Sequence, residues 1–219
     1  MGEPQADNGT SQREPVVCSY YSRPKEGDQL HQGELLRQVW DWVAKYDDKG
    51  KPIGVESHVY KLAVIVAQEC DLAQDFRNRK DDPLVETDLR SILLCQVSPA
   101  EELRDQRTEI NRHFWGKVRS NSAERYQYLA KVPTEADATT EGHEPMLVDF
   151  RSYFAVRTVE LYRQIRATDE GSAAPFTVLN LPWREHLQQR FVSYQARVGL
   201  PLDHFIPESR SKELMAPGP

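Results

Sequence analysis

From Gln32 onward the chain alternates between short apolar runs and long polar stretches. Leu36, Val39, Trp40, Trp42 and Val43 are aromatic and β-branched enough for a strand, with an apolar helix face as the alternative. "DDKGKPIG" is turn chemistry between two apolar segments. "KLAVIVA" is short, continuous and β-branched, the pattern of a strand covered on both faces. The polar stop that follows, "QECDL", reads as the exit turn of that strand, "DFRNRKDDPLVETDLRS" as a charged exposed loop, and "ILLCQV" as the next strand.

Two helices stand out. Ser98 followed by Pro99 and Glu101 combines an N-cap, a proline in the first turn and a capping-box acid. Leu103, Ile110, Phe114 and Val118 then recur at helical spacing, which predicts one amphipathic helix over about 99–119. The second helix carries Trp183, Leu187, Phe191, Tyr194 and Val198 on one face and stops at Gly199–Pro201, where the chain cannot continue helically. Between them, "RYQYLAKV" alternates as a strand, "PTEADATTEGHEP" is a loop, and "MLVDFRSYFAVRTVELY" is a strand pair or one bent strand. Strands in series with a helical insertion and a closing helix predict an α+β fold. One domain is expected over 27–206, flanked by a disordered N-terminal extension, 1–26, and a disordered tail, 207–219, both poor in large apolar groups.

Composition narrows the function classes. The 219 residues are 39% hydrophobic and 28% charged with net charge −6, so non-specific coating of nucleic acid, which needs clustered Lys and Arg, is not expected. Cys18, Cys70 and Cys95 are odd in number, widely spaced and free of a CxxC pair, which points to a reducing compartment and away from a structural zinc site. No secretory leader, transmembrane run or lipid-anchor context is read, so the expected address is the cytosol. No Walker loop, dinucleotide glycine pattern or HExxH pair occurs, and no cofactor or metal is expected.

Four segments resemble the MazF/PemK-like superfamily: "QGELLRQV" its first strand, "KLAVIVAQECDL" its second, "ILLCQVS" its third, and "MLVDFRSYFAVRTVELY" its late strand; the final helix fits as well. The matches cover about half the chain. They imply an SH3-like β-barrel core, and a toxin endoribonuclease setting. The family's catalytic arginine at the start of the second strand corresponds here to Lys61, followed by Leu62 rather than proline. A lysine carries the charge but lacks the planar fork that grips phosphate oxygens. Ser98 lies near the family's Thr or Ser, but its helix-start context claims it as a cap.

The resulting expectation is a non-catalytic interaction module of a bacterial toxin–antitoxin or phage-defence system, binding a partner protein or RNA, with a homodimer as an open alternative to a monomer. The alternative is a metal-independent endoribonuclease with Lys61 stabilising charge, Arg151 or Arg157 on phosphate and Ser98 or Asp71 assisting. The third is a hydrolase with Cys70 as nucleophile, for which the spacing shows no base. Other candidates have simpler structural readings. Arg151 and Arg157 would alternate outward from the sheet or pair with Asp149 and Glu160; Arg184, Arg190 and Arg197 would form a solvated face. Phe114, Trp115, Tyr126 and Tyr128 would enter the core rather than stack on bases, and His113 would sit on a helix surface.

Overall fold

The computed structural model describes residues 21–22, 29–79, 82, 84–131, 142–167 and 171–197. Seven strands, β1 Tyr21–Ser22, β2 Glu34–Tyr46, β3 Pro52–Ile65, β4 Ser91–Pro99, β5 Tyr126–Leu129, β6 Met146–Arg157 and β7 Ala174–Leu179, join one antiparallel sheet in the order β1-β7-β2-β3-β4-β6-β5. The sheet curls into a half-barrel. The helices are α1 Glu69–Arg79, α2 Ala100–Gln106, α3 Arg112–Arg119, α4 Thr158–Arg166 and α5 Trp183–Gln195. The α+β class expected from the sequence is the class observed.

The continuous apolar run finds its explanation in this arrangement. Val64 and Val66 pack with Leu35, Cys95, Phe150, Leu187 and Phe191, which is the side covered by α5. Ala63 and Ile65 pack with Leu36, Leu72, Leu94, Leu161 and Tyr162, the side covered by α1 and α4. A strand between two layers of helix has no solvent face, so polar alternation is lost. A third cluster holds Leu103 of α2 and Val118 of α3 on Tyr126. In it Phe114 meets Tyr126 and Trp115 meets Tyr128 edge to face, so these aromatics are packing groups.

Several local expectations are corrected. "QECDL" is not an exit turn: Glu69 already opens α1, with Glu69 and Asp71 in its first turn and Arg77 and Arg79 in its last, which complements the helix dipole at both ends. The loop expected from Asp75 therefore begins inside a helix. The single helix over 99–119 is two, with Arg107 extended and Asn111 capping α3 through bonds from the His113 and Phe114 N–H groups. Ser98 is no cap; it pairs with Leu147 inside β4, and Pro99 takes the cap position without a side-chain bond. The late strand ends at Arg157, after which "TVELY" is helical. The strand β7, with Pro175 inside it, lies where the sequence predicts no element. Tyr21 and Ser22 lie in the N-terminal extension, yet they pair with β7 and Tyr21 is buried. The rest of the extension to 20, residues 23–26 and the tail 207–219 lie outside the described residues.

Two details shape β2. Gly33, at φ +75°, precedes it; a side chain there would press on Arg184 Cβ at 3.0 Å and Leu179 Cβ at 3.1 Å, so only glycine suits both backbone and space. Gln38, at φ 56°, sits in the left-handed region within the strand, whose register against β3 continues through it. Before it, β2 pairs with β7 and β3; beyond it, β2 has β3 alone among the described residues. At Trp40 the buried Gln164 of α4 substitutes for a strand: its Oε1 accepts from Trp40 N–H at 2.9 Å and its Nε2 donates to Trp40 C=O at 2.9 Å. Gln164→Leu, which keeps the bulk and removes both bonds, is expected to cost about 1–3 kcal/mol in urea unfolding; an unchanged midpoint would contradict this role.

Candidate functional site

The structure disperses the residues picked from the sequence. Arg157 faces Ser91 at one end of β4, whereas Ser98 lies at the other, roughly 23 Å away at strand rise. Lys61, exposed on β3, falls level with Ser98 if the register Ala63 opposite Gln96 is continued past the last bonded pair. Asp71 is exposed in the first turn of α1. Arg151 is exposed, in the stretch of β6 that bends out of register against β4 between Cys95 and Val97. Arg157 and Ser98 are therefore at opposite ends of β4, and no hydrogen bond or ion pair joins any two of these five residues among the described contacts.

Arg151 and Arg157 are exposed, as the outward-facing alternative has it, and the ion pairs are not those of the pairing alternative. Arg157 pairs with Glu86, Glu160 with Arg163, and Asp149 with Arg125, whose Nε and Nη2 donate to its two carboxylate oxygens at 2.8 and 2.6 Å. Arg184 and Arg190 of α5 are tied to other elements, and Arg197, two residues past its end, is exposed. Arg190 donates to the carbonyls of Asn121, Ala123 and Tyr126, Arg197 pairs with Glu124, and Arg184 lies 3.7 Å from Glu69. Arg157 lines two adjoining clefts of 320 and 310 Å³, with Arg90, Ser91 and Thr158 in one and Asp41, Trp42 and Arg163 in the other.

Of the cysteines, Cys95 is buried, and burial followed by the Asp149 charge holds its thiol well above the ordinary range, which makes it a packing group. Cys70 is exposed; its thiol lies 3.5 Å from Gln68 Oε1 and 3.6 Å from Asp71 Oδ1. Beside it, Glu69 anchors a polar network. Its oxygens lie 2.8 Å from His31 Nδ1 and accept from Gln32 N–H at 2.8 Å. Burial pushes Glu69 up, but these hydrogen bonds, with the His31 and Arg184 charges, outweigh it and hold the carboxyl below its usual range. Among the described residues no group of three or more His, Cys, Asp or Glu is placed to hold a metal ion, and no helix is long and apolar enough to cross a membrane.

The feature that stands apart is the distal half of the β2–β3 hairpin. Past Gln38 neither outer edge meets another strand among the described residues until β4 joins at Ala63. Ala44 faces Val55 and Trp42 faces Ser57, so strand alternation puts Trp42, Ala44, Tyr46 and Val55 on one face and Asp41, Lys45, Glu56 and His58 on the other. Trp42 is 47%, Tyr46 61%, Ile53 64% and Val55 65% exposed. The alternating pattern was legible in "WDWVAKY"; its exposure was not, because a half-buried core strand reads the same way. No protein-family model, no curated protein and no solved structure matches the chain.

Proposed function

We propose that this chain is a non-catalytic protein-interaction module whose docking element is the projecting β2–β3 ribbon. One observation carries the reading: among the described residues, five of the ten exposed large apolar side chains sit on this ribbon, with Trp42, Tyr46 and Val55 on one face, Val43 on the other and Ile53 at the irregularity near the tip. Single exposed apolar residues need no explanation, but a contiguous set rimmed by charge marks a contact surface. A two-stranded ribbon is also marginal alone and gains from added partners. The occupant is a protein rather than RNA. Lys45, Lys49 and Lys51 are matched by Asp47, Asp48 and Glu56, so the ribbon offers phosphate no net positive charge.

The half-barrel is read further as SH3-like, and the setting as a cytosolic toxin–antitoxin or phage-defence system; the four strand segments and the closing helix quoted from the sequence are what support both. The dispersal of Lys61, Arg157, Arg151, Ser98 and Asp71 supports the non-catalytic choice. The test is quantitative cross-linking capture from native lysate with the wild type, Trp42→Ser/Tyr46→Ser and a distant surface control, Val192→Ser. The expected result is a partner protein retained by wild type and control and lost in the double variant. Equal capture by all three overturns the reading, as does cleavage of total RNA by the wild type that Lys61→Ala abolishes.

A further inference from the structure

We infer that the ribbon pairs with the ribbon of a second copy, β2 against β2 in antiparallel register about a two-fold axis at Val43. The inference rests on the ribbon being a docking element and names what lies along its edge.

The backbone phase selects the residues. Gln164 takes both the N–H and the C=O of Trp40, so at Trp40 these groups point away from β3. Strand residues alternate in this respect, so Trp42 and Ala44 also turn their N–H and C=O outward, while Asp41, Val43 and Lys45 turn theirs toward β3. Trp42 and Ala44 are exposed, and β2 pairs with β7 no further than Arg37. An edge with unpaired donors and acceptors is a template for another strand. Gln164 limits the ladder on one side, and the turn that begins at Asp47 limits it on the other.

The side chains select the partner. A two-fold axis at Val43 brings Trp42 opposite Ala44 of the second copy, and the reverse, as hydrogen-bonded pairs. The same register brings Asp41 opposite Lys45 twice; Trp40 takes no part, since Gln164 holds its outward N–H and C=O. Opposite charges and large-on-small aromatic contacts are both favourable cross-strand pairs. The sequence "DWVAK" is thus complementary to itself when reversed. An isologous contact requires that property, and an arbitrary partner strand would not. On the outer edge of β3 the axis level with Val43 falls at Glu56 and sets that glutamate against itself. In the assembled four-stranded ribbon the faces carrying Trp42, Tyr46 and Val55 lie side by side, so pairing doubles the apolar surface offered to a partner.

The contact is short, and a dissociation constant of about 1–10 μM is expected. The experiment is sedimentation equilibrium on the full chain, with circular dichroism as the check on folding. The wild type is expected to be a dimer. Lys45→Asp faces Asp41 of the other copy and is expected to weaken the dimer about tenfold; adding Asp41→Lys restores it. Ala44→Pro removes an outward N–H not used by β3, and edge strands accept proline there; it is expected to be a folded monomer. A wild type that stays monomeric at about 100 μM, a dimer indifferent to Ala44→Pro, or a Lys45→Asp defect that Asp41→Lys does not rescue overturns the inference. Monomeric wild type whose Trp42→Ser/Tyr46→Ser variant still loses its partner defeats self-pairing alone. A dimer whose capture ignores those substitutions defeats the docking reading alone.

Discussion

Arg79→Met is expected to lower the unfolding free energy by about 3–5 kcal/mol, the range for stranding one member of a buried ion pair. The side chains of Arg79 and Asp75 are each 1% exposed. Arg79 Nε donates to Asp75 Oδ2 at 2.7 Å and Nη2 to Oδ1 at 3.1 Å, one turn apart on α1. Nη2 also reaches Thr87 Oγ1 at 3.1 Å, Nη1 donates to the Val85 carbonyl, and the Thr87 hydroxyl donates to Asp75. The guanidinium lies 4.9 Å from the centre of the Tyr162 ring of α4. Five groups are thus satisfied by one another, and methionine fills the volume while satisfying none. Asp75 is left as a desolvated charge with only a hydroxyl against it. The measurement is equilibrium urea unfolding, with the double variant Asp75→Leu/Arg79→Met as control. Replacing both partners by apolar groups is often close to neutral, so the double variant is expected to recover most of the loss. A single-variant cost below about 1 kcal/mol would show the pair to be solvated rather than buried.

This network holds more than a helix. Val85 and Thr87 belong to the segment leading into β4, and the same segment supplies Glu86 to Arg157 and Leu89 C=O to the Thr158 hydroxyl. One arginine on α1 therefore secures the wall of the cleft that Arg157 lines, and the start of α4. Through Gln164, α4 in turn fixes the point where β2 leaves the sheet. The ribbon's departure from the half-barrel is set by packing remote from it.

What could be read from the chain follows from which forces are local. The runs at 62–67 and 92–97 announce strands because burial on both faces suppresses polar alternation. The α5 face is legible because Trp183, Leu187, Phe191 and Tyr194 keep helical spacing and pack on one core. The misreadings occur where a residue serves a distant partner. Ser98 with Pro99 and Glu101 has every local mark of a cap, yet β6 claims Ser98 for the sheet. Asp75 and Arg79 look like solvated charge in "DFRNR", and only the folded chain shows them closing on Thr87 and Val85. Glu34 looks like an ordinary strand-start acid, and no spacing rule marks it as buried. The candidate site was half legible: its residues read as a strand, but the absence of a neighbouring strand on either edge, among the described residues, depends on where β7 and β4 stop pairing.

Stability is expected to fall as pH rises through the window set by Glu34. This carboxyl is 2% exposed, and burial, reinforced by the charge of Glu69, pushes it from 4.5 up to about 7 against the opposing bond from His31 N–H and the His31 charge. Its Oε2 accepts that N–H at 2.8 Å. Between pH 4.5 and about 7 the folded chain keeps a proton here that the unfolded chain has released. The native state then binds more protons than the unfolded one, so the unfolding free energy declines with rising pH, by about 3 kcal/mol over the window at 1.4 kcal/mol per unit. Glu34→Gln keeps the shape and the acceptor and cannot ionise. It is expected to match the wild type at about pH 4 and to exceed it by about 2–3 kcal/mol at about pH 8. Glu69 acts in the opposite sense: its carboxyl is held low, so its contribution is present above the unfolded value and is lost as pH falls through the folded one. Glu69→Gln therefore removes stability at neutral pH and narrows the Glu34 window, because the Glu69 charge is one of the causes that raise Glu34, while burial, the largest cause, keeps the sign of the slope. Urea midpoints for the three proteins across this range separate the two carboxyls. A wild-type slope that survives Glu34→Gln would assign it to another group. A Glu34→Gln variant less stable than wild type at about pH 8 would mean that the buried acid is held ionised by its neighbours. The segment at stake is the His31–Gly33 turn, which Glu34 closes from within and Glu69 clamps from outside, and from which β2 sets out toward the ribbon.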